Sequence, residues 1–95
     1  MVFTWNEQKA RTNQTKHGIA FDLAIEVFND PKRIVEFNRI VAGEVRTQVI
    51  GMAGKLELVL FVVYTERESN GKETIRIISA RKAGHEDRRR YAALS

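Results

Sequence analysis

Two apolar runs, residues 58–64 and 75–80, are joined by a polar link that contains Asn70-Gly71. No other feature constrains the fold as much. A type I′ turn needs positive φ at both central positions, which Asn-Gly accepts cheaply, so the segment predicts a β-hairpin. In the first run Leu58, Leu60, Val62 and Tyr64 face one way and Val59, Phe61 and Val63 the other. Apolar side chains on both sides predict a central strand covered on both faces. The second strand, residues 74–81, alternates Ile75, Ile77, Ser79 and Arg81 against Arg76, Ile78 and Ala80.

This hairpin runs into a basic segment. Between Arg76 and Tyr91 stand Arg76, Arg81, Lys82, Arg88, Arg89 and Arg90 against Glu86 and Asp87, which accounts for the whole net charge of +4. Such a stretch is either a solvated face or a surface for a phosphate-rich or acidic partner.

The rest of the chain supplies shorter elements. Phe3 and Trp5 lie on one side of an extended lead-in and are expected in the core. Asn6 reads as an N-cap and Glu7 as the acidic first turn of a helix over residues 7–17, ended by Gly18. On that helix Ala10, Asn13 and His17 share one stripe, so polar side chains are carried inward and need hydrogen-bond partners. Residues 21–28 predict a second helix, capped by Asp22, with Leu23, Ala24, Val27 and Phe28 inward and Pro31 stopping it. Strands follow at 33–37 and 44–50, the latter with Val45, Thr47 and Val49 opposite Glu44, Arg46 and Gln48. Gly51-Met52-Ala53-Gly54 reads as a turn. A last helix covers residues 85–94. The expected fold is α+β: two N-terminal helices, an antiparallel sheet of about four strands and a C-terminal helix, in one domain spanning residues 1–95.

Composition closes several routes. An apolar share of 43% with 29% charged residues is that of a globular domain rather than a disordered chain. Without cysteine there is no disulfide framework or thiolate chemistry, and with two histidines a structural zinc site is not expected. The segment MVFTWNEQK has no basic leader, and no window approaches the ~18 apolar residues of a membrane span, which predicts a cytoplasmic protein. There is no phosphate-binding glycine loop, no carboxylate triplet for Mg²⁺ and no nucleophile motif, so neither cofactor nor metal is expected.

The segments KARTNQTKHGIAF, EVFNDP, GEVRTQVIG, VVYTERE and IRIISARKA, closing with EDRRRY, are similar in order and spacing to the BrnT family of toxin proteins. The likeness runs from Phe3 to Tyr91, and KHG, YTER and IRIISAR are its most specific pieces. It implies a RelE-like ribonuclease fold and an RNA-cleaving activity that arrests growth. It also implies neutralisation by a BrnA antitoxin with a ribbon-helix-helix DNA-binding domain, in a toxin–antitoxin hetero-oligomer.

Independently of that likeness, metal-free RNA cleavage needs a base for the 2′-hydroxyl, a cation at the developing phosphorane charge and an acid for the 5′-oxygen. Arginine suits the second role, because its planar fork pairs bidentately with phosphate and keeps its charge. The candidates are Arg67, Arg81 and Arg46, with Arg76, Lys82 and Arg88 as further RNA-binding cations. A turn at Asn70-Gly71 pairs Arg67 with about Thr74 and leaves Arg81 near Val59 or Leu60, so register argues against one simple cluster. For proton transfer the candidates are His17, Glu66, Tyr64 and Tyr91. His17 is alternatively a helix-terminal His favoured by the dipole, Glu66 an exposed partner of Arg67 or Lys72, and Tyr91 a core residue or a base-stacking one. Arg88, Arg89 and Arg90 point in three directions around their helix and cannot share one ligand. A different reading of the same charges is a non-catalytic basic module that binds nucleic acid or protein and acts as a corepressor with a DNA-binding partner.

Overall fold

A computed structural model describes residues 1–94. Its frame is a five-stranded sheet in the order β1-β5-β4-β3-β2, with β1 Val2–Thr4, β2 Ile34–Val41, β3 Glu44–Ala53, β4 Leu58–Ser69 and β5 Lys72–Lys82. The α+β class stands, but with five strands rather than about four, and the sheet is mixed. The lead-in carrying Phe3 pairs in parallel with β5, Phe3 opposite Ile75, while the other three pairs are antiparallel. Asn70 and Gly71 take φ of 53° and 75°, which closes the β4–β5 hairpin as the sequence predicts. Both of its strands run further than their apolar cores, to Ser69 and from Lys72, because the tight turn holds polar residues in the ladder.

Two departures come from β3 and its partner β2. Ala42 and Gly43, at φ 49° and 77°, make a second tight turn, so β2 runs on past the expected residue 37 to Val41. Gly51, Met52 and Ala53 are strand, not turn; only Gly54–Leu56 leave the ladder, as a 3₁₀ turn. A Cβ at Gly51 would stand 3.1 Å from Val27 Cβ and 3.2 Å from Val27 O, so this glycine is there for close approach of backbone to backbone.

Helix α1, Glu7–His17, is bounded as its caps predict: Asn6 accepts from Lys9 N, and Gly18 is left-handed at φ 73°. The expected second helix is one turn, α2 Phe21–Ala24, which tightens into 3₁₀ over Ile25–Asn29; Ala20, not Asp22, stands at its N-cap, and no side chain caps it. β-branched Ile25 and Val27 favour that tightening little less than a continued helix. Helix α3 spans His85–Ala92.

Two cores result. The larger lies under α1 and α2 and holds Phe21, Ala24, Val27, Val49, Leu60, Val62, Tyr64, Ile75, Ile77 and Ala80. Phe3 and Trp5 pack into it against Phe28 and Phe21, at centroid distances of 5.1 and 5.9 Å. The smaller, on the other side of the sheet, joins Ile50, Phe61, Met52 and Val59 to Ala83 and Tyr91 under α3. Asn13 is 7% exposed and is the buried polar residue expected of α1. Its amide donates to Ala80 O at 2.8 Å and Ile19 O at 3.0 Å and accepts from Ala80 N at 3.1 Å. β1 ends opposite Arg76, so Asn13 stands in for a strand on the edge of β5 beyond it and satisfies both backbone groups of Ala80.

Candidate nucleic-acid interface

Strand alternation builds the polar face. On β4, Leu60, Val62 and Tyr64 face the helices α1 and α2, so Thr65 and Arg67 face the other way, with Phe61 and Val63. Thr47 pairs with Tyr64, which brings Arg46 level with Thr65, and Arg39 pairs with Arg46, while Thr65 pairs with Arg76. One row across four strands therefore reads Arg39, Arg46, Thr65, Arg76, at about 4.8 Å per strand. Arg67, opposite Thr74, lies one step toward the turn. Helix α3 covers only the far end of this face, above Ile50 and Phe61.

Arg81 reaches the same face by a bulge. The register slips between Val63 and Tyr64, which pair with Ser79 and Ile77 and leave Ile78 extra on β5. Ser79 and Arg81 are thereby turned away from Ile75 and Ile77, against the simple alternation expected from sequence, and Arg76 and Arg81 share a face despite their odd separation. Arg81 pairs with Phe61, one position past Leu60 and two past Val59, the expected partners, and its guanidinium carbon lies 4.1 Å above the Phe61 ring. That stacking holds the guanidinium plane over the sheet.

Arg67, Arg46 and Arg76 surround Glu44. Glu44 accepts from Arg67 at 2.6 Å, and that hydrogen bond is the main cause that holds its carboxyl below its usual value; the charges of Arg67, Arg46 and Arg76 add to it against a smaller effect of burial. Nearer α3, Asn38 donates to Gln48 at 2.8 Å, Gln48 donates to Glu36 at 3.2 Å, and Arg90 pairs with Glu36 and, at 3.3 Å, with Asp87. Arg90 is the main cause of a lowered Glu36 carboxyl as well. Two groups in the middle of the face have no partner: Arg46 Nε and Thr65 Oγ1 are both buried and unbonded, and Thr65 is 1% exposed.

The remaining sequence candidates lie elsewhere. Glu66, one residue from Arg67, points to the opposite face, opposite Ile75 and close enough to Tyr64 to raise its phenol. Tyr64 itself is buried, and burial foremost pushes it up to about 12. Tyr91, on the inward side of α3, is buried against the sheet and donates its hydroxyl to Asp30 Oδ2; burial first and that hydrogen bond second push it up to about 12. It packs, as one of its two readings had it. Lys82 pairs with Leu60 at the exposed end of β5, and Arg88 is exposed and in no ion pair among the described residues. His17 lines a groove between α1 and β5 with Lys9, Lys16, Ile78 and Ser79, and Ser79 belongs to the arginine face as well. Sequence reasoning missed Thr65, Arg39 and Glu36. Thr65 was visible as the residue two before Arg67 on a strand; Arg39 depended on a bulge at Asn38 that no local pattern marks.

Among the described residues, no three of His, Asp and Glu converge to hold a metal ion, and no helix is long and apolar enough to cross a membrane. A small α+β domain with one arginine-lined sheet face, two of whose central donors are unbonded, has the footprint of a polyanion-binding protein. The family model for the ribonuclease toxin BrnT of type II toxin–antitoxin systems matches residues 5–87. The chain belongs to that family of ribonuclease toxins, whose substrate is RNA and whose partner is an antitoxin. Among curated proteins none matches it. Arg90 and Tyr91 lie beyond the matched segment.

Proposed function

We propose that the chain is a metal-independent endoribonuclease that arrests growth in the cytoplasm, has a RelE-like mode of action on the sheet face, and is silenced in a hetero-oligomer with a BrnA-like ribbon-helix-helix antitoxin. The open pair at the centre of the face carries this reading. A buried donor without a partner costs about 1–3 kcal/mol, and Arg46 Nε and Thr65 Oγ1 stand side by side between Arg39 and Arg76. Both atoms are covered in the free protein, so a phosphate oxygen accepts from them once the overlying side chains swing aside onto it, and its charge relieves the repulsion of Arg39 and Arg46 across the β2–β3 pair.

Attack of the 2′-oxygen on phosphorus builds charge on the equatorial oxygens, which the forks of Arg46 and Arg76 match better than they match the ground state. Arg67 is released for the backbone when phosphate replaces Glu44 as its partner. Arg81, held flat on Phe61 four residues along β4 from Thr65, binds the RNA backbone beyond the scissile phosphate. Of the proton movers, His17 serves this reading best, since its groove adjoins Ser79. Glu66 faces away and the Tyr91 hydroxyl is committed to Asp30. Arg88 extends the cationic surface at its rim, whereas Lys82, level with Leu60, faces the helix side of the sheet and drops out of the RNA-binding set.

The test is incubation with ribosome-free RNA in excess EDTA, with the fragment ends identified. Fragments ending in 2′,3′-cyclic phosphate are expected, and Arg81→Ala removes them. RNA that stays intact both alone and on translating ribosomes overturns the reading. The placement of Glu66 off the arginine face and the commitment of the Tyr91 hydroxyl to Asp30 favour one rival, a non-catalytic module that binds RNA or protein as a corepressor; it predicts binding that falls steeply with salt and no product.

A further inference from the structure

The other face of the sheet carries a second surface of opposite character. Helices α1 and α2 and the 3₁₀ turn after α2 cover its middle, and beyond them the β2–β3 hairpin is bare. Val35, Phe37, Ile40 and Val45 are 50–64% exposed. Val35 pairs with core residue Val49, Phe37 with Thr47 and Ile40 with Val45, so all four lie on the helix side as one patch, three on the outermost strand β2 and Val45 beside them on β3. Single exposed apolar residues are ordinary, whereas four contiguous large ones on one hairpin mark an interaction site.

Next to this patch, on the same face, the β4–β5 ribbon presents Glu66, Glu68 and Glu73. Glu68 and Glu73 are direct register partners, an arrangement that like charges make unfavourable. None of the three carboxylates takes part in an ion pair among the described residues.

We infer that this apolar and acidic face is where the antitoxin anchors, through a segment whose apolar side chains fill the hairpin patch and whose flanking Lys or Arg side chains meet Glu68 and Glu73. The inference rests on the toxin reading above and adds the surface and the chemistry of the partner. Charge selects the occupant. RNA is repelled by the three carboxylates, and a second copy of the chain, joined patch to patch, sets carboxylates against carboxylates or against apolar side chains. A basic amphipathic segment satisfies both halves of the surface at once. The anchor then lies on the side of the sheet away from Arg46 and Thr65, so gripping the toxin and blocking its RNA face are separate acts of the antitoxin, made on opposite sides of the edge strand β2.

Two variants test this with purified BrnA-like antitoxin as the probe: Phe37→Asp, and Glu68→Lys combined with Glu73→Lys. Loss of an aromatic anchor weakens antitoxin binding about 100-fold, and reversal of the two charges weakens it about tenfold and inverts its salt dependence. Both variants keep the RNA-cleavage rate and thermal midpoint of the unsubstituted chain, so Phe37→Asp yields a toxin that cuts RNA and escapes neutralisation. Unchanged antitoxin affinity in both variants overturns the proposal. So does a dimer of the free chain, seen by sedimentation, that Phe37→Asp dissolves, because the patch then belongs to a second copy. An unsubstituted chain that neither cuts RNA nor binds the antitoxin overturns the toxin reading itself and this surface with it.

Discussion

Replacing Arg46 by Ala lowers kcat/KM for RNA cleavage by about 10²–10³-fold, the cost of removing one preorganised charge donor from a developing oxyanion, and leaves the thermal midpoint nearly where it was. The midpoint holds because Arg46 gives its Nε no partner within the free protein and faces Arg39 across the β2–β3 pair, so its loss removes repulsion along with packing. Arg46→Lys separates charge from geometry. It keeps the cation but not the planar fork, and activity at least about tenfold below that of the unsubstituted chain is expected if recognition is bidentate. Thr65→Val moves stability and activity in opposite directions. The hydroxyl is buried without a partner, so removing it stabilises the fold by about 1 kcal/mol and raises the midpoint by about 4–8 °C, while cleavage falls about tenfold as a phosphate contact is lost. Calorimetry and initial rates on one short RNA measure both effects. Full activity in Arg46→Ala would place the site elsewhere on the molecule, and a stabilised, fully active Thr65→Val would remove the hydroxyl from it.

Much of this face was legible in the sequence, and the illegible parts share one cause. Arg46, Arg67, Arg76 and Arg81 were all candidates from residue type alone, and the pairing of Arg67 with Thr74 followed from the Asn70-Gly71 turn. What alternation could not supply was the extra residue at Ile78. The register argument that separates Arg67 from Arg81 holds, since Arg67 pairs with Thr74 and Arg81 with Phe61, six residues apart along β4. Read with a strict period of two, however, Arg76 and Arg81 fall on opposite faces; the bulge puts them on one, and its energetic reason lies in the twist of the β4–β5 ribbon and not in any local motif. The basic helix misled in the opposite sense. Arg89 and Arg90 stand out in the sequence, yet Arg89 is paired with Glu86 and Arg90 with Glu36 and Asp87, while the cations that converge come from the middle of the sheet. Strand β1 was missed because three residues with one inward side chain carry no periodic signal. The position of Glu66 was available all along, since neighbours on a strand face opposite ways and Arg67 was already assigned to the site.

Alternation also explains how one sheet holds two incompatible surfaces. Along β4 the order Thr65, Glu66, Arg67, Glu68 sends hydroxyl and guanidinium to one face and carboxylates to the other, and on β5 Glu73 and Arg76 divide in the same way. The two charge sets are a single strand's thickness apart, and the apolar interior that would screen them is absent at the exposed ribbon tip. RNA and a basic protein segment can be bound on opposite sides only if the strands keep their register. The type I′ turn that fixes the hairpin is therefore a condition of function as well as of folding.

Asp30→Ala should destabilise the protein by about 3 kcal/mol, lowering the midpoint by more than about 10 °C. Asp30 follows the 3₁₀ turn and ties three elements together: Oδ2 accepts from Met52 N of β3 at 2.8 Å and from the Tyr91 hydroxyl of α3, and Oδ1 accepts from Lys32 N at 2.9 Å. Burial raises its carboxyl, but those hydrogen bonds, Met52 first, and the charge of Lys32 outweigh burial and leave it below its ordinary value of 3.8. A folded value below the unfolded one means that this contribution is complete above about pH 4 and is lost as pH falls through the folded value. The acid limb of stability against pH should accordingly be shallower in Asp30→Asn than in the unsubstituted chain, with the two curves furthest apart at neutral pH. Tyr91→Phe removes one of the three bonds and should cost about 1–2 kcal/mol, and the double variant should cost less than the sum, since the two residues share that bond. Additive losses would show that Asp30 and Tyr91 act independently, and that α3 is held to the sheet by the apolar contacts of Ile50 and Phe61 and by the Arg90–Glu36 pair alone. Cleavage should survive in Tyr91→Phe below its melting range. An inactive but folded Tyr91→Phe would mean that the phenol leaves Asp30 to work on RNA, and would return it to the catalytic set.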